Sequence, residues 1–177
     1  GAIFTDDDAL ANQLKMIAMH GQSKRYYHDV VGCNSRLDTI QAAILDIKLK
    51  HLDEYTAARR KAADYYDKAF AGQAKISTPY RAANSKHVFH QYTLILNGVD
   101  RDALHNYLAE NGIPSMIYYP VACHKQKMFD AFGGSGYHLP LTDWLTERVI
   151  SLPMHTELEE EQQALIVSKV VEFINKP

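Results

Sequence analysis

Long apolar runs are missing from this 177-residue sequence, since none approaches the roughly 20 residues that a membrane-spanning helix needs. No cationic region followed by an apolar one stands near the start, so no signal peptide is expected. A formal charge of −2 provides no basic excess for nucleic acid or an anionic membrane surface. The two cysteines, Cys33 and Cys123, are typical of a reduced compartment, and we expect a cytoplasmic protein.

Familiar site motifs are missing as well: the sequence contains no GxSxG, GxxxxGK[ST], GxGxxG, CxxC or HExxH. His87 and His90 are three residues apart near a predicted strand, where their side chains would face opposite sides. Cys123 and His124 are adjacent, a spacing that rarely allows both to bind one ion. We therefore expect no metal site, and we interpret GGSG at 133–136 as a flexible connector.

The composition is that of a globular protein, with 46% hydrophobic and 23% charged residues. Its length fits one domain, or one compact unit with an extension. The chain opens with GAIFT and no initiator Met, which suggests a fragment. We predict a strand over 1–5 and a helix over 6–19, capped by Thr5 with Asp8 and ended by Gly21.

An apolar stripe follows at helical spacing, formed by Leu37, Ile40, Ile44 and Ile47. The helical signal continues to about Phe70, which is long enough to predict two consecutive helices or one bent helix. The cluster Arg59-Arg60-Lys61 is interpreted as a solvated helix face.

The remaining sequence alternates extended and helical patterns, typical of a mixed α/β fold. Helices are predicted after the cap Asp100, over LTDWLTERVI, and at the C-terminus behind a Thr156/Glu159 capping box. The predicted extended segments are KISTPY, VFHQYTLILNG, IPSMIYY (113–119) and ISLP.

Two polar loops are candidates for chemistry. In residues 20–38, the Asn34 amide and the Arg36 guanidinium could bind an anion such as a phosphate through hydrogen bonds. The alternative, favoured on chemistry alone, is that Asn34 or Ser35 caps the next helix and Arg36 lies on the surface. Residues 117–126 (IYYPVACHKQ) form either a ligand-contacting loop or an ordinary loop with aromatic residues.

Several stretches in order resemble the DegT/StrS sugar-nucleotide aminotransferases: GAIFT, HGQSKRYYHDVVGCNSRLDTIQAAIL, FHQY, IPSMIYYPVACHKQ and SLPMHTELEEEQ. The resemblance covers essentially the whole chain. It implies the C-terminal part of an α/β fold-type I pyridoxal-phosphate transferase. Residues 1–36 would be a remnant of the large domain, 37–72 the bridging helices, and 73–177 the small α/β domain.

The resemblance also implies a function. The enzyme would use pyridoxal 5′-phosphate to move an amino group from glutamate to a keto-sugar nucleotide, as a homodimer with a shared active site. The other matched stretches, which include VVGCNSRLDTIQ, resemble those of bacterial enzymes that make aminosugars for lipopolysaccharide O-antigen.

The family assigns roles to residues of both loops. Asn34 would reach the cofactor phosphate of the partner subunit, and Arg36 would contact the substrate. Candidates on the sugar-nucleotide side are Tyr118, Tyr119 and His124, and weaker candidates are Tyr27, His28 and His90. Many relatives have His at the position of Tyr118, a departure from the family pattern.

Catalytic residues are not expected in this chain, because the Schiff-base lysine of the family would lie upstream of Gly1. We therefore predict that these 177 residues alone cannot transaminate. The family also includes sugar-nucleotide dehydratases that carry His in place of that lysine. A non-catalytic dimerisation or ligand-binding module is a third possibility.

Overall fold

The computed structural model describes residues 2–176, apart from the side chain of Ser135. The chain divides into two compact units, Gly1–His51 and Leu52–Pro177. The boundary lies inside the expected bridging segment 37–72, and the assignment of segments to a large and a small domain stays a prediction. In the described part, no helix combines the length and apolarity that crossing a bilayer requires.

The first unit consists of two helices and a small antiparallel hairpin. Its elements are α1 (Asp8–Ala18), β1 (Gln22–Lys24), β2 (Tyr27–His28) and α2 (Thr39–Leu49). The carboxylate of Asp7 caps α1 by accepting from the backbone N–H groups of Ala9 and Leu10. The predicted cap pair of Thr5 and Asp8 is therefore wrong. The predicted strand 1–5 is also wrong for 2–5, which have no regular secondary structure, and Gly1 lies outside the described residues.

The second unit packs helices against a three-stranded antiparallel sheet of order β3-β4-β5. Its helices and strands are α3 (Leu52–Ala69), β3 (Ile76–Ser77), β4 (Tyr92–Leu96), α4 (Arg101–Glu110), α5 (Pro140–Thr146), β5 (Val149–Leu152) and α6 (Glu160–Ile174). Three short 3₁₀ turns, Cys123–Lys125, Lys127–Phe132 and Gly134–Gly136, lie between α4 and α5.

The hydrophobic core lies in this second unit, between the sheet and its helices. Tyr66 of α3, Leu94 of β4, Leu104 of α4, Ile150 of β5 and Val170 of α6 are each fully buried there. In β4 the buried residues alternate with half-buried ones, the period of a strand with one face on a core. Burial of these large apolar side chains is the main term that stabilises the unit.

The long helical region contains two helices, α2 and α3, which confirms one of the two expected forms. The apolar stripe on α2 is exposed, however: Ile40 is 74% exposed and Ile47 is 62% exposed. Neither α1 nor α2 contains a buried residue. The first unit therefore has an amphipathic helix whose apolar face is not covered by the described residues.

Three local predictions in the second unit need correction. Residues 113–119 form no strand, and a single antiparallel bridge joins Met116 to Ser151. The capping box of α6 uses Glu159 with Gln162, not Thr156 with Glu159. The GGSG segment, predicted as a flexible connector, contains a 3₁₀ turn over Gly134–Gly136. The cap Asp100 is confirmed, since its carboxylate accepts from the Ala103 backbone N–H at 2.9 Å.

Candidate functional site

The polar loop after α1 is held in place by backbone hydrogen bonds to the end of that helix. The His20 N–H donates to the Cys33 carbonyl at 2.9 Å, and the Cys33 N–H donates to the Ile17 carbonyl at 2.8 Å. The Ser35 N–H donates to the Ala18 carbonyl at 2.9 Å. Although its sequence lacks periodicity, the loop is folded back on α1 in one defined path.

Two glycines make this path sterically possible. Gly21 has φ +78°, and a Cβ there would lie 1.7 Å from the Val30 carbonyl oxygen. A Cβ on Gly32 would lie 2.2 Å from the Gly21 nitrogen. Since real Cβ atoms do not approach backbone so closely, only glycine allows the two arms of the loop to touch.

Asn34 is positioned by this fold and not by a capping role. The backbone of Asn34 forms an isolated bridge with Met19. The cap of α2 is Asp38, whose carboxylate accepts from the Gln41 N–H at 2.8 Å. The interpretation of Asn34 or Ser35 as the helix cap is therefore wrong, and the Asn34 side chain is available for another contact.

Asn34 and Arg36 are brought together by a direct hydrogen bond. The Arg36 Nε–H donates to Asn34 Oδ1 at 2.9 Å, and both residues are exposed. Because its oxygen is engaged, the Asn34 amide presents its NH₂ group as a donor. An amide NH₂ beside a guanidinium is a donor set that suits a phosphate or carboxylate.

Tyr27 and His28 lie in the β-hairpin of the same unit. The Lys24 ammonium lies 4.1 Å from the centre of the Tyr27 ring, a cation–π contact. The His28 Nδ1 lies 2.8 Å from the His20 carbonyl oxygen, which fixes the imidazole to the loop backbone. Both residues are exposed.

In the second unit, Tyr118, Tyr119 and His124 lie on one segment. The two tyrosine rings are exposed and pack edge to face, with centres 5.8 Å apart. The His124 side chain is only 8% exposed, and its Nε2 lies 3.5 Å from Asp143 Oδ1. The Lys125 ammonium lies 2.8 Å from the same oxygen and lowers the pKa of the Asp143 carboxyl.

His90 lies just before β4, in a segment that two arginines of α3 hold. Arg59 donates to the carbonyl oxygens of Phe89, His90 and Met154. Arg60 donates to the carbonyls of Lys86 and His87 at 3.1 and 2.9 Å. The interpretation of these arginines as a solvated helix face is therefore wrong, since their guanidinium groups fix the backbone that carries His90.

Sequence reasoning did not single out Asp143, Arg59 or Arg60 as parts of a site. Their partners lie 18 or more positions away along the chain, and no local pattern announces such contacts. The one signal in the sequence was the pair of adjacent arginines on a predicted helix, since at least one of two adjacent helical residues can face other parts of the protein.

Within residues 2–176 and the side chains described there, no group of three metal-ligating residues is suited to an ion.

The predicted site residues thus form two groups, each defined within its own unit. One is the Asn34–Arg36 pair with the nearby hairpin residues Tyr27 and His28. The other is the segment with Tyr118, Tyr119 and His124, and the same unit contains His90. Both groups offer hydrogen-bond donors and aromatic surface, as an anionic ligand with a planar ring would need.

Comparison with known proteins gives a consistent result. The sequence model of the DegT/DnrJ/EryC1/StrS aminotransferase family matches residues 1–171. A pleiotropic regulatory protein of Geobacillus stearothermophilus is 43% identical over 98% of this chain and 46% of its own length. UDP-N-acetyl-3-dehydro-alpha-D-glucosamine 3-aminotransferase of Acidithiobacillus ferrooxidans is 43% identical over 96% of this chain and 45% of its own length.

Solved structures agree with the sequence relatives. DesV of Streptomyces venezuelae, in complex with a ketimine intermediate, superimposes with a TM-score of 0.87 at 32% identity. The match covers 98% of this chain and 46% of DesV. The α/β architecture is therefore that of these proteins, and the chain spans about half the length of the relatives it matches.

Proposed function

Because the chain belongs to the DegT/DnrJ/EryC1/StrS aminotransferase family, we propose that it forms part of a pyridoxal 5′-phosphate-dependent sugar-nucleotide aminotransferase. The amino donor in this proposal is glutamate, and the acceptor is a keto-sugar nucleotide. The activity named for the Acidithiobacillus relative, at 43% identity, supports this substrate class. The intermediate bound to DesV supports the cofactor. The activity is proposed for the natural-length polypeptide, since the relatives are about twice as long as this chain.

The observation that carries the proposal is the geometry of Asn34. Its amide oxygen accepts from Arg36, so its NH₂ group is the part left to bind a ligand. The loop that presents this group is fixed by hydrogen bonds to α1 and by the contact of Gly21 with Gly32. A preorganised donor beside a cation fits the phosphate of the cofactor.

A homodimer with a shared active site is part of the proposal. Asn34 would donate to the cofactor phosphate held by the partner subunit, and Arg36 would keep the amide oriented and meet anionic groups of the substrate. The exposed apolar stripe on α2, with Ile40 and Ile47, supports burial against another polypeptide surface. The stripe begins only a few residues after Asn34.

The residues of the second unit would meet the sugar nucleotide. Tyr118 and Tyr119 offer exposed aromatic faces on which a base or sugar ring can stack. His124 supports the segment from its buried side. Tyr27, His28 and His90 remain weaker candidates for contacts with the substrate.

The cofactor, when bound, supplies the electron sink for the transfer. This chain would bind and orient the cofactor phosphate and the substrate, while the lysine that bonds to the cofactor would come from outside it. Incubation of the 177-residue chain with pyridoxal 5′-phosphate and borohydride tests this division of roles. We expect only sparse, scattered labelling, and a stoichiometric adduct on one lysine would contradict it.

The activity itself is tested on the natural-length polypeptide. With glutamate and a panel of UDP- and dTDP-keto-sugars, we expect release of 2-oxoglutarate and an aminated nucleotide sugar. Formation of a deoxygenated sugar without 2-oxoglutarate would instead identify a dehydratase. Binding of nucleotide sugars without turnover would favour a binding module. A role in lipopolysaccharide O-antigen synthesis and a cytoplasmic location stay predictions.

A further inference from the structure

The segment between α4 and α5 is built around close contacts between its 3₁₀ turns. A Cβ on Gly134 would lie 2.7 Å from Phe129 Cβ and 2.8 Å from the His124 carbonyl oxygen. Only a glycine allows the third turn to approach the first two this closely. The backbone of the turn Cys123–Lys125 therefore has little room to move on this side.

Asp143 of α5 approaches the same turn through its side chain. Its Oδ1 lies 2.8 Å from Lys125 Nζ and 3.5 Å from His124 Nε2. The Lys125 contact is an ion pair, and the His124 contact brings an imidazole nitrogen close to the same carboxylate oxygen. One carboxylate oxygen thus faces two consecutive side chains of a single turn.

The burial of His124 gives this arrangement its consequence. Its side chain is only 8% exposed, and within the described residues its buried Nε2 has no hydrogen-bond partner. A buried polar nitrogen without a partner is costly, and Asp143 is the acceptor that the fold places beside it. Lys125, and to a smaller extent His124 and His138, lower the pKa of the Asp143 carboxyl, so the group is ionised at neutral pH.

We propose that Asp143 is a positioning residue: its carboxylate on α5 holds the inward-facing imidazole of His124 and the ammonium of Lys125, and so fixes the segment that carries Tyr118 and Tyr119 toward a sugar nucleotide. The contacts stand on the geometry alone. Their consequence for substrate binding rests on the proposed function. Asp143 touches no reacting atom in this scheme, so its loss should weaken binding more than turnover.

The first test measures the contact itself on the 177-residue chain. The carboxyl carbon of Asp143 is titrated by NMR in the parent chain, in Lys125→Gln and in Lys127→Gln, a matched control from the next, exposed turn. Lys125→Gln should raise the pKa of Asp143, because the nearest cation is lost, and Lys127→Gln should leave it unchanged. Asp143→Asn should also shift the His124 ring resonances. Equal titration curves in all three chains would overturn the proposal.

The second test measures the consequence in the natural-length enzyme. We expect Asp143→Asn to raise KM for the nucleotide sugar about tenfold with kcat within about twofold, and Asp143→Glu to recover part of the loss. Asp130→Asn, which removes an exposed carboxylate of the neighbouring turn, is the control and should leave both constants unchanged. An unchanged KM in Asp143→Asn would overturn the positioning role.

The two tests separate this proposal from the proposed function. A natural-length polypeptide that transfers no amino group would contradict the function, and the Asp143 titration would then decide the positioning contact by itself. If Asp143→Asn fails to fold, Lys125→Gln replaces it in both tests. Its expected results are a raised Asp143 pKa and a raised KM, and the absence of either counts against the proposal.

Discussion

Each of the two units of this protein is stabilised internally by a different kind of interaction. Residues 52–176 bury large side chains such as Tyr66 and Leu104 in a core between sheet and helices. In the described residues up to His51, the buried position is Gly21, and the apolar side chains of α2 are exposed. Hydrogen bonds between the loop and the end of α1 provide the order there.

This difference matches the roles proposed for the two units. A unit with its own core can present residues such as Tyr118 and Tyr119 on a stable base. A unit whose apolar face is left uncovered by residues 2–176 can present Asn34 through backbone contacts, yet still needs another surface against its helix. Substitutions that act on side-chain burial and on backbone packing should therefore affect the two units differently.

The largest effect is expected from Leu104→Ala in the core. Leu104 is fully buried, so loss of its side chain leaves a cavity and should lower the free energy of unfolding by about 3 kcal/mol. Ile44→Ala, on the exposed stripe of α2 at 46% exposure, is the matched control and should cost less than about 0.5 kcal/mol. Urea denaturation measures both. Equal costs would mean that Ile44 is buried in solution, which would remove the contrast between the units.

A smaller effect is expected from Gly21→Ala in the first unit. The new Cβ would clash with the Val30 carbonyl oxygen, and the backbone φ of +78° is unfavourable for alanine. We therefore expect the free energy of local unfolding of the loop to fall by about 2 kcal/mol. Hydrogen exchange of the His20, Cys33 and Ser35 amides measures this loss. Gly72→Ala controls for backbone strain without a clash, since Gly72 has φ +81° but open space around it. This substitution should lower the free energy of unfolding of the second unit by about 1 kcal/mol. Undisturbed protection in Gly21→Ala would show that the loop does not depend on this contact.

The smallest effect concerns the alkaline limit of the second unit. Burial raises the pKa of the Tyr66 and Tyr92 phenols, and the Asp67 carboxylate that accepts from Tyr92 at 2.5 Å adds to the shift. A pKa raised in the folded state contributes stability below the unfolded value of about 10, and this stability is lost as pH rises above it. In an alkaline titration followed by tyrosinate absorbance, two of the eleven tyrosines should therefore ionise only as the unit unfolds. In the Tyr92→Phe variant, only one tyrosine should do so. Simultaneous ionisation of all eleven would contradict this.

Periodicity predicted the elements that depend on local sequence. The stripe from Leu37 to Ile47 predicted α2, and the Asp100 cap predicted the start of α4, because helix signals lie within a few residues of one another. The same stripe did not reveal that its apolar face would be exposed. A sequence pattern shows that a face is apolar, but not which surface covers it.

The candidate site was predictable in composition but not in geometry. Asn34 and Arg36 were named from the sequence, while their mutual hydrogen bond and the cap at Asp38 required the fold. Asp143 and the arginines of α3 act across 18 or more positions, so no local spacing indicated them. The hairpin of β1 and β2 was missed because its strands have only three and two residues.

The Asn34 amide is proposed to bind the phosphate of pyridoxal 5′-phosphate, and loss of this contact should weaken the affinity of the protein for the cofactor. The dissociation constant is measured by absorbance titration of the natural-length polypeptide, with Ser35→Ala as the neighbouring control. Asn34→Ala should weaken binding about tenfold or more, because it removes a hydrogen bond to a charged group, and Ser35→Ala should leave it unchanged. Equal affinities of Asn34→Ala and the parent protein would contradict the claim.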